Sequence, residues 1–510
     1  MSTSKFGEVI EGCGVGILLT LGLTWNQLSG YHLDLYHRQL PVTTVVRAIA
    51  IDLLLVSLLG AVLLWLLRRF DGEHRTLLWG VFASSLAARA VGGLITAEVL
   101  TRQGVTPLRV FLVLMALSGL LWIFARSIYR QAVRGFRVAL MLLGFSIFWI
   151  VPQLFSLSFA RQPQDRLAFA TTVPKQAVPH RRIVWLLFDE MSQDQLVDHR
   201  WPRLSMPNFD KLRRESVTYS KVTPDGYYTE EVLPSLLLGQ PVAAIRSSVA
   251  GDLLLRHAPG AAWQAFDGDS TLFADAKKLH RTTGLVGSYN PYCRLLPQQL
   301  DVCWTELSPF NDHLSGQKST LENVVAPMDA TWRRTFHLPV EHTPTDAEKF
   351  HALVDAALEL IRKEDIDFVF VHLPIPHPPG TYDRKTGRIV AAGSYLDNMA
   401  LSDETLGVLQ AALAQTASAP MTTLIVSSDH SWRVPLWRNA IGWTAEDEAA
   451  SQGRFDSRPL LIVHLAGETE PLTIARPFPA LGVHDLMEKL FAEPLTADDL
   501  VAWSTTKAAL

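Results

Sequence analysis

The stretch Ile183-Val184-Trp185-Leu186-Leu187-Phe188-Asp189-Glu190 decides the fold. Six apolar residues in a row, rich in β-branched and aromatic types, are too short for a core helix and read as a strand buried on both faces. The run stops on two acids, as the carboxyl end of a strand in a parallel sheet does beside a ligand site. About forty residues on stands Gly226-Tyr227-Tyr228-Thr229-Glu230-Glu231-Val232-Leu233-Pro234-Ser235-Leu236-Leu237-Leu238-Gly239. Its pattern puts the hydroxyl of Thr229 at the start of a helix over 230–238. The bland reading of Thr229 is an N-cap. The functional reading is a hydroxyl facing a cation held by the strand-end acids.

Outward from this stretch, short apolar runs alternate with helical patterns. Strands are expected at 183–188, 217–222, 283–287, 367–372, 422–427 and 459–464, with helices at 207–216, 230–238, 270–280, 345–363, 395–416 and 484–491. Strands that are apolar throughout, alternating with helices, predict an α/β domain over 181–510 with a mainly parallel sheet covered on both faces. Asp189, His372 and the pair Asp429-His430 all fall at expected strand ends. His377 follows in His372-Leu373-Pro374-Ile375-Pro376-His377-Pro378-Pro379.

The N-terminal part differs. Residues 1–160 hold most of the long apolar runs, at about 8–27, 46–68, 77–100, 108–127 and 137–158. Most approach the roughly 20 residues a helix needs to cross a bilayer, the first being the weakest, and five transmembrane helices are expected. The first carries no cleavage-site pattern and reads as a retained anchor. Arg68, Arg69 and Arg75 follow the second run, and Arg126, Arg130, Arg134 and Arg137 follow the fourth. The positive-inside rule then sets the N-terminus in the cytoplasm and the large domain outside an inner or plasma membrane. Asp52, Arg89 and Glu98 lie within the apolar runs, either as a packing ion pair or with Arg89 near a lipid head group. Residues 161–180, polar and carrying three prolines, read as a linker. With a net charge of −4 and no basic patch, nucleic acid is not an expected partner. The oligomeric state is open.

Outside the cell membrane, Cys293 and Cys303, ten apart, are expected to form a disulfide; two unrelated buried thiols are the alternative. The mix of carboxylates and imidazole suits one divalent metal, Zn or Mn, better than Ca or Mg. Such a metal would lower the pKa of the Thr229 hydroxyl and orient it.

Taken in order, six pieces resemble the alkaline phosphatase superfamily in its sulfatase-like branch. They are Ile183 to Glu190, Met206-Pro207-Asn208-Phe209-Asp210-Lys211-Leu212, Thr229 to Gly239, His372 to Pro379, Tyr395 to Asn398 with Asp403-Glu404-Thr405-Leu406-Gly407, and Ser428-Asp429-His430. Apolar spans ahead of such a domain are similar to the membrane-bound lipid A phosphoethanolamine transferases and lipoteichoic acid synthases. The resemblance implies that Asp189, with Glu190 as neighbour or alternative, Asp429 and His430 hold the metal. Thr229 would be nucleophile and further ligand. His377, and also His372, would bind the transferred group, and His377 would protonate the leaving oxygen. The donor would be a phospholipid and the acceptor a glycan or lipid hydroxyl. The formylglycine motif C/S-x-P-x-R of sulfatases is replaced by Thr229-Glu230-Glu231-Val232-Leu233, and Ser431 stands where Gly often follows Asp-His. A hydrolase using water, and a non-catalytic membrane-anchored binding protein, are the alternatives.

Overall fold

The computed structural model describes residues 3–19, 42–67, 69–94, 107–158, 181–247, 252–305, 346–438 and 443–507. The chain divides into two compact units, one of 1–162 with 247–252 and 309–343, the other of 163–246, 253–308 and 344–510. The expected linker lies outside the described residues.

The first unit consists of α1 (Thr3–Leu19), α2 (Val42–Leu67), α3 (Gly72–Leu94), α4 (Pro107–Phe124), α5 (Arg126–Phe145) and α6 (Ile147–Ser158). The expectation of five spans needs correction. Among the described residues two helical stretches are long and apolar enough to cross a membrane, Ile49–Leu67 and Arg126–Ser156, while Val9–Leu19 and Phe111–Phe124 are shorter. The 17 residues of α1 reach only about 25 Å, short of a hydrocarbon core of about 30 Å. Helix α3 opens with Glu73, His74 and Arg75. The arginines expected in a loop after the fourth run are helical: Arg126 to Arg137 form the first three turns of α5. Helices α1 and α2 approach closely, since a Cβ on Gly16 would meet Ser57 Oγ at 2.0 Å. Such contacts between small residues let helix backbones touch. Asp52 is buried, whereas the side chain of Arg89 and all of Glu98 lie outside the described residues.

The second unit is built on an eight-stranded sheet: β1 (Arg182–Phe188), β2 (Val217–Thr223), β3 (Thr283–Gly287), β4 (Val302–Thr305), β5 (Phe368–Leu373), β6 (Thr422–Ser428), β7 (Leu461–His464) and β8 (Leu472–Pro479). Their order is β8-β2-β7-β6-β1-β5-β3-β4. Neighbours run parallel except at β7, which is antiparallel to both β6 and β2. The mainly parallel sheet is thus observed. The six expected strands all form. Two strands without a strong sequence signal, β4 and β8, sit at the edges. There Pro477 and Pro479 cost no ladder bond that the sheet needs, but they hide the strand from pattern reading.

Strand β1 explains the central packing. Val184, Leu186 and Phe188 enter one core, with α7 (Pro207–Arg214), α9 (Asp346–Arg362) and α10 (Tyr395–Ala414). Ile183, Trp185 and Leu187 enter the other, with α8 (Thr229–Leu238) and the helix Gly482–Ala492. Every residue of β1 is buried, which is why it reads as continuous rather than alternating. On the first face the two helical pieces matched above meet directly. The Asp403 carboxylate accepts the Asn208 and Phe209 N–H groups at 3.0 and 2.9 Å and so caps the start of α7 from α10. Gly407, one turn on, leaves room for Asn208, whose Nδ2 would lie 2.6 Å from a Cβ there.

Candidate metal and ester site

The site lies at the carboxyl edge of three adjacent parallel strands. Phe188 pairs with Ser428 on one side and Leu373 on the other, so Asp189 and Asp429 leave the sheet together, two residues beyond the level at which His372 pairs with Leu187. Strand alternation aims them. Leu187, Ser427 and His372 are in register, on the face that carries α8, and Asp189 and Asp429 continue that face.

Helix α8 begins at Thr229 with Tyr228 as its extended N-cap, and no side chain makes the cap bond. The N-cap reading of Thr229 is therefore corrected: its hydroxyl turns elsewhere. Thr229 Oγ1 lies 3.0 Å from His430 Nε2 and donates to Asp189 Oδ1 at 3.4 Å. His430 Nε2 is 3.7 Å from Asp189 Oδ1 and 3.2 Å from Asp429 Oδ2. All four residues are buried.

These atoms fit a divalent cation. Ligands about 2.0–2.2 Å from one tetrahedral ion stand a little over 3 Å apart, close to the four distances above. Asp429 Oδ1 accepts the N–H groups of Glu190 and His430 at 3.0 and 2.8 Å, while its Oδ2 is buried without a hydrogen-bond partner. A carboxylate oxygen left bare beside an imidazole and a second acid calls for a positive charge. His430 Nδ1 lies 3.2 Å from the Ser431 carbonyl; a proton there leaves the Nε2 lone pair toward the cluster. Burial, followed by the charge of Asp429, pushes Asp189 well above the usual carboxylate range. For Asp429 the opposing influences of His430, the Glu190 N–H and His372 outweigh burial and hold it low.

Glu190 is placed differently. An oxygen of it comes within 4.8 Å of donor atoms of Asp189 and His430, and its oxygens also accept from Arg433 and Trp437. Oε1 accepts from the Arg433 N–H at 2.7 Å and Trp437 Nε1 at 2.7 Å, and Oε2 from Arg433 Nη2 at 2.8 Å. Burial raises this acid; His377 and Arg433 outweigh it and hold it below its ordinary value. Its φ of 68° lies in the left-handed region, a strain that persists at sites where the surroundings enforce it. The Tyr395 hydroxyl does so, donating to the Glu190 carbonyl at 2.9 Å and accepting from the Ser192 N–H at 3.1 Å.

His377 Nε2 lies 3.7 Å from Glu190 Oε2, its side chain one-third exposed (31%) and packed edge-on to Trp437. His372 is buried, its Nδ1 2.9 Å from the Tyr292 hydroxyl and its Nε2 without a partner. Burial pushes it down to about 4, so the ring is neutral. Tyr292 precedes Cys293, which is bonded to Cys303 and ties the short helix Tyr292–Leu295 to β4. Arg433, Trp437, Tyr292 and Tyr395 were not identified as site residues from sequence. Arg433 had one signal, its place three residues after His430.

A family model described as Sulfatase matches residues 181–452, more than half of the chain. Compared with curated proteins, the sequence finds no match. Among solved structures it is similar to the phosphonate monoester hydrolase of Agrobacterium radiobacter, at 14% identity over 63% of this chain and 77% of that one, TM-score 0.39. It is similar to the PsFucS1 sulfatase from Pseudoalteromonas sp. at 14% identity, 61% and 67% coverage and a TM-score of 0.42. For murine ectonucleotide pyrophosphatase/phosphodiesterase 5 the values are 10%, 63%, 99% and 0.37. On the extent of the family match, the chain belongs to the sulfatase family of metal-dependent enzymes acting on sulfate or phosphate esters.

Proposed function

We propose that this enzyme moves a phospho-head group, of phosphoethanolamine or phosphoglycerol type, from a phospholipid to a glycan or lipid hydroxyl at the outer face of a membrane. One observation carries the reading: a threonine hydroxyl at a helix start sits 3.0 Å from an imidazole and 3.4 Å from a buried acid. The absence of the C/S-x-P-x-R motif speaks against a formylglycine sulfatase. The two apolar helical stretches of the first unit support a lipid-borne donor.

Asp189, Asp429, His430 and Thr229 would hold the metal, which when bound supplies positive charge to the nucleophile and to the phosphoryl oxygens. The Thr229 hydroxyl would give its proton to solvent as the metal is taken up; its oxygen attacks phosphorus as the bond from phosphorus to the diacylglycerol oxygen breaks, and it leaves unprotonated at the end of the cycle. His377, at the exposed side of the site, gives that oxygen its proton. The head group is then joined to Thr229 as a phosphodiester. The acceptor hydroxyl attacks the same phosphorus, its proton passes to His377, and the Thr229 oxygen leaves. The dipole of α8 favours the anionic phosphoryl group throughout. Arg433 and Glu190 keep the strand-end turn in place.

The test is head-group transfer by the full-length protein in lipid with Zn or Mn, using labelled phosphatidylethanolamine and phosphatidylglycerol, with mass spectrometry of the Thr229 peptide. The adduct mass names the group. Full turnover in Thr229→Ala and Asp429→Ala would end this reading. Release of the head group to water with any acceptor offered would make the enzyme a phosphodiesterase.

A further inference from the structure

The first unit holds a cavity of about 670 Å³ where the start of α3 meets the first three turns of α5. That volume is within the roughly 300–1,000 Å³ of small-molecule sites. Arg75 lines it from α3, and Arg130, Arg134 and Arg137 from α5. The last three share one helix face by their spacing.

Asp71 and Glu73 also line the cavity, and the acids around it are paired, Glu73 and Glu11 with two of these arginines. Asp71 caps α3, accepting the Glu73 and His74 N–H groups at 3.1 and 2.9 Å and facing His74 Nδ1 at 2.7 Å. Glu73 lies 3.5 Å from Arg126 and 3.7 Å from Arg130. Glu11 takes Arg137 at 2.8 Å, and that guanidinium lies 5.0 Å over the Trp79 ring. Arg75 and Arg134 have no acid partner among the described residues. Four guanidinium groups thus converge on one hollow with two charges uncompensated.

The position is informative. Arg130, Arg134 and Arg137 fill the polar beginning of the apolar stretch Arg126–Ser156, where a helix that crossed a bilayer would meet lipid phosphates. Guanidinium forks match phosphate oxygens bidentately, and basic pockets between membrane helices take anionic head groups. We propose that this cavity binds a phosphate ester anion through Arg75 and Arg134, with Arg130 and Arg137 flanking it. The head group of an anionic phospholipid and a free phosphate share that chemistry. The site is separate from the ester chemistry of the second unit and does not rest on it.

The experiment uses the full-length protein in detergent. Its thermal midpoint is followed as phosphatidylglycerol, phosphatidylcholine or inorganic phosphate is added. Phosphatidylglycerol should raise the midpoint by several degrees and phosphatidylcholine should not. The double variant Arg75→Gln/Arg134→Gln should lose that shift while keeping the wild-type midpoint without lipid. Native mass spectrometry of the wild-type protein, which needs no variant, should show retained phosphatidylglycerol over phosphatidylcholine. If inorganic phosphate alone gives the shift, and only with both arginines present, the site stands and its ligand is a free anion. Equal shifts by the two lipids, or a phosphatidylglycerol shift that survives the double substitution, would show that the arginines serve topology alone and overturn the proposal.

Discussion

Arg433 holds Glu190 from two directions, its main-chain N–H donating to Oε1 at 2.7 Å and its guanidinium to Oε2 at 2.8 Å. Of two consecutive strand-end acids, one therefore faces the hydroxyl and the other is bound by a buried cation. Glu190→Gln leaves Arg433 buried without its counter-charge, which costs on the order of 3–5 kcal/mol. The thermal midpoint should fall while metal content measured by atomic emission stays that of the wild type. Asp429→Asn should show the opposite pattern, losing metal first.

Thr229 Oγ1 is the one hydroxyl within reach of both Asp189 and His430 among the hydrogen bonds of the described residues. Thr229→Ala should fold normally and lose turnover by a factor on the order of a thousand or more. Thr229→Ser keeps the oxygen and should retain a measurable part of the rate. Steady-state kinetics on a soluble phosphodiester distinguishes the two.

Burial holds the His372 pKa at about 4, below its ordinary 6.5. The unfolded chain therefore binds the proton first as the medium acidifies. Stability linked to this ring is complete above about pH 6.5 and is lost as pH falls toward 4. Thermal midpoints measured across that interval should drop less steeply in His372→Gln than in the wild type. Tyr292→Phe strips His372 of its partner and should cost about 1–3 kcal/mol.

The Cys293–Cys303 bridge closes a short loop of sequence separation 10 beside Tyr292. Reduction should lower stability by about 2–3 kcal/mol on the chain-entropy estimate. Calorimetry with and without reductant measures it, and a thiol titration of the denatured, unreduced protein should find Cys13 alone.

Asp403 joins α10 to the start of α7 through two main-chain N–H groups. Asp403→Ala leaves those donors buried and unpaired and should cost about 1–3 kcal/mol. Gly407→Ala should also destabilise, because the new methyl group meets Asn208 at 2.6 Å. Denaturant unfolding of both variants reads the effect.

The chain by itself determined the layered α/β plan of the second unit, because a strand buried on both faces has no alternation to obscure it and must be apolar throughout. It also singled out Asp189, Asp429 and His430, since polar residues that end apolar runs stand out by type, and Thr229, as a hydroxyl at a helix start. Much of the first unit was less legible: apolarity marks a span, but helix length and continuity through Arg126–Arg137 depend on local backbone that composition does not report. Only the tertiary structure separated Asp189 from Glu190. Both are acids at one strand end, and their fates diverge because the sheet's alternation aims one at α8, while Arg433 and Trp437, more than two hundred residues away in sequence, take the other. The same holds for Tyr292 and His372, and for Asp403 and Asn208. Hydrogen bonds between distant segments follow from how the sheet brings them together, and no spacing along the chain encodes that.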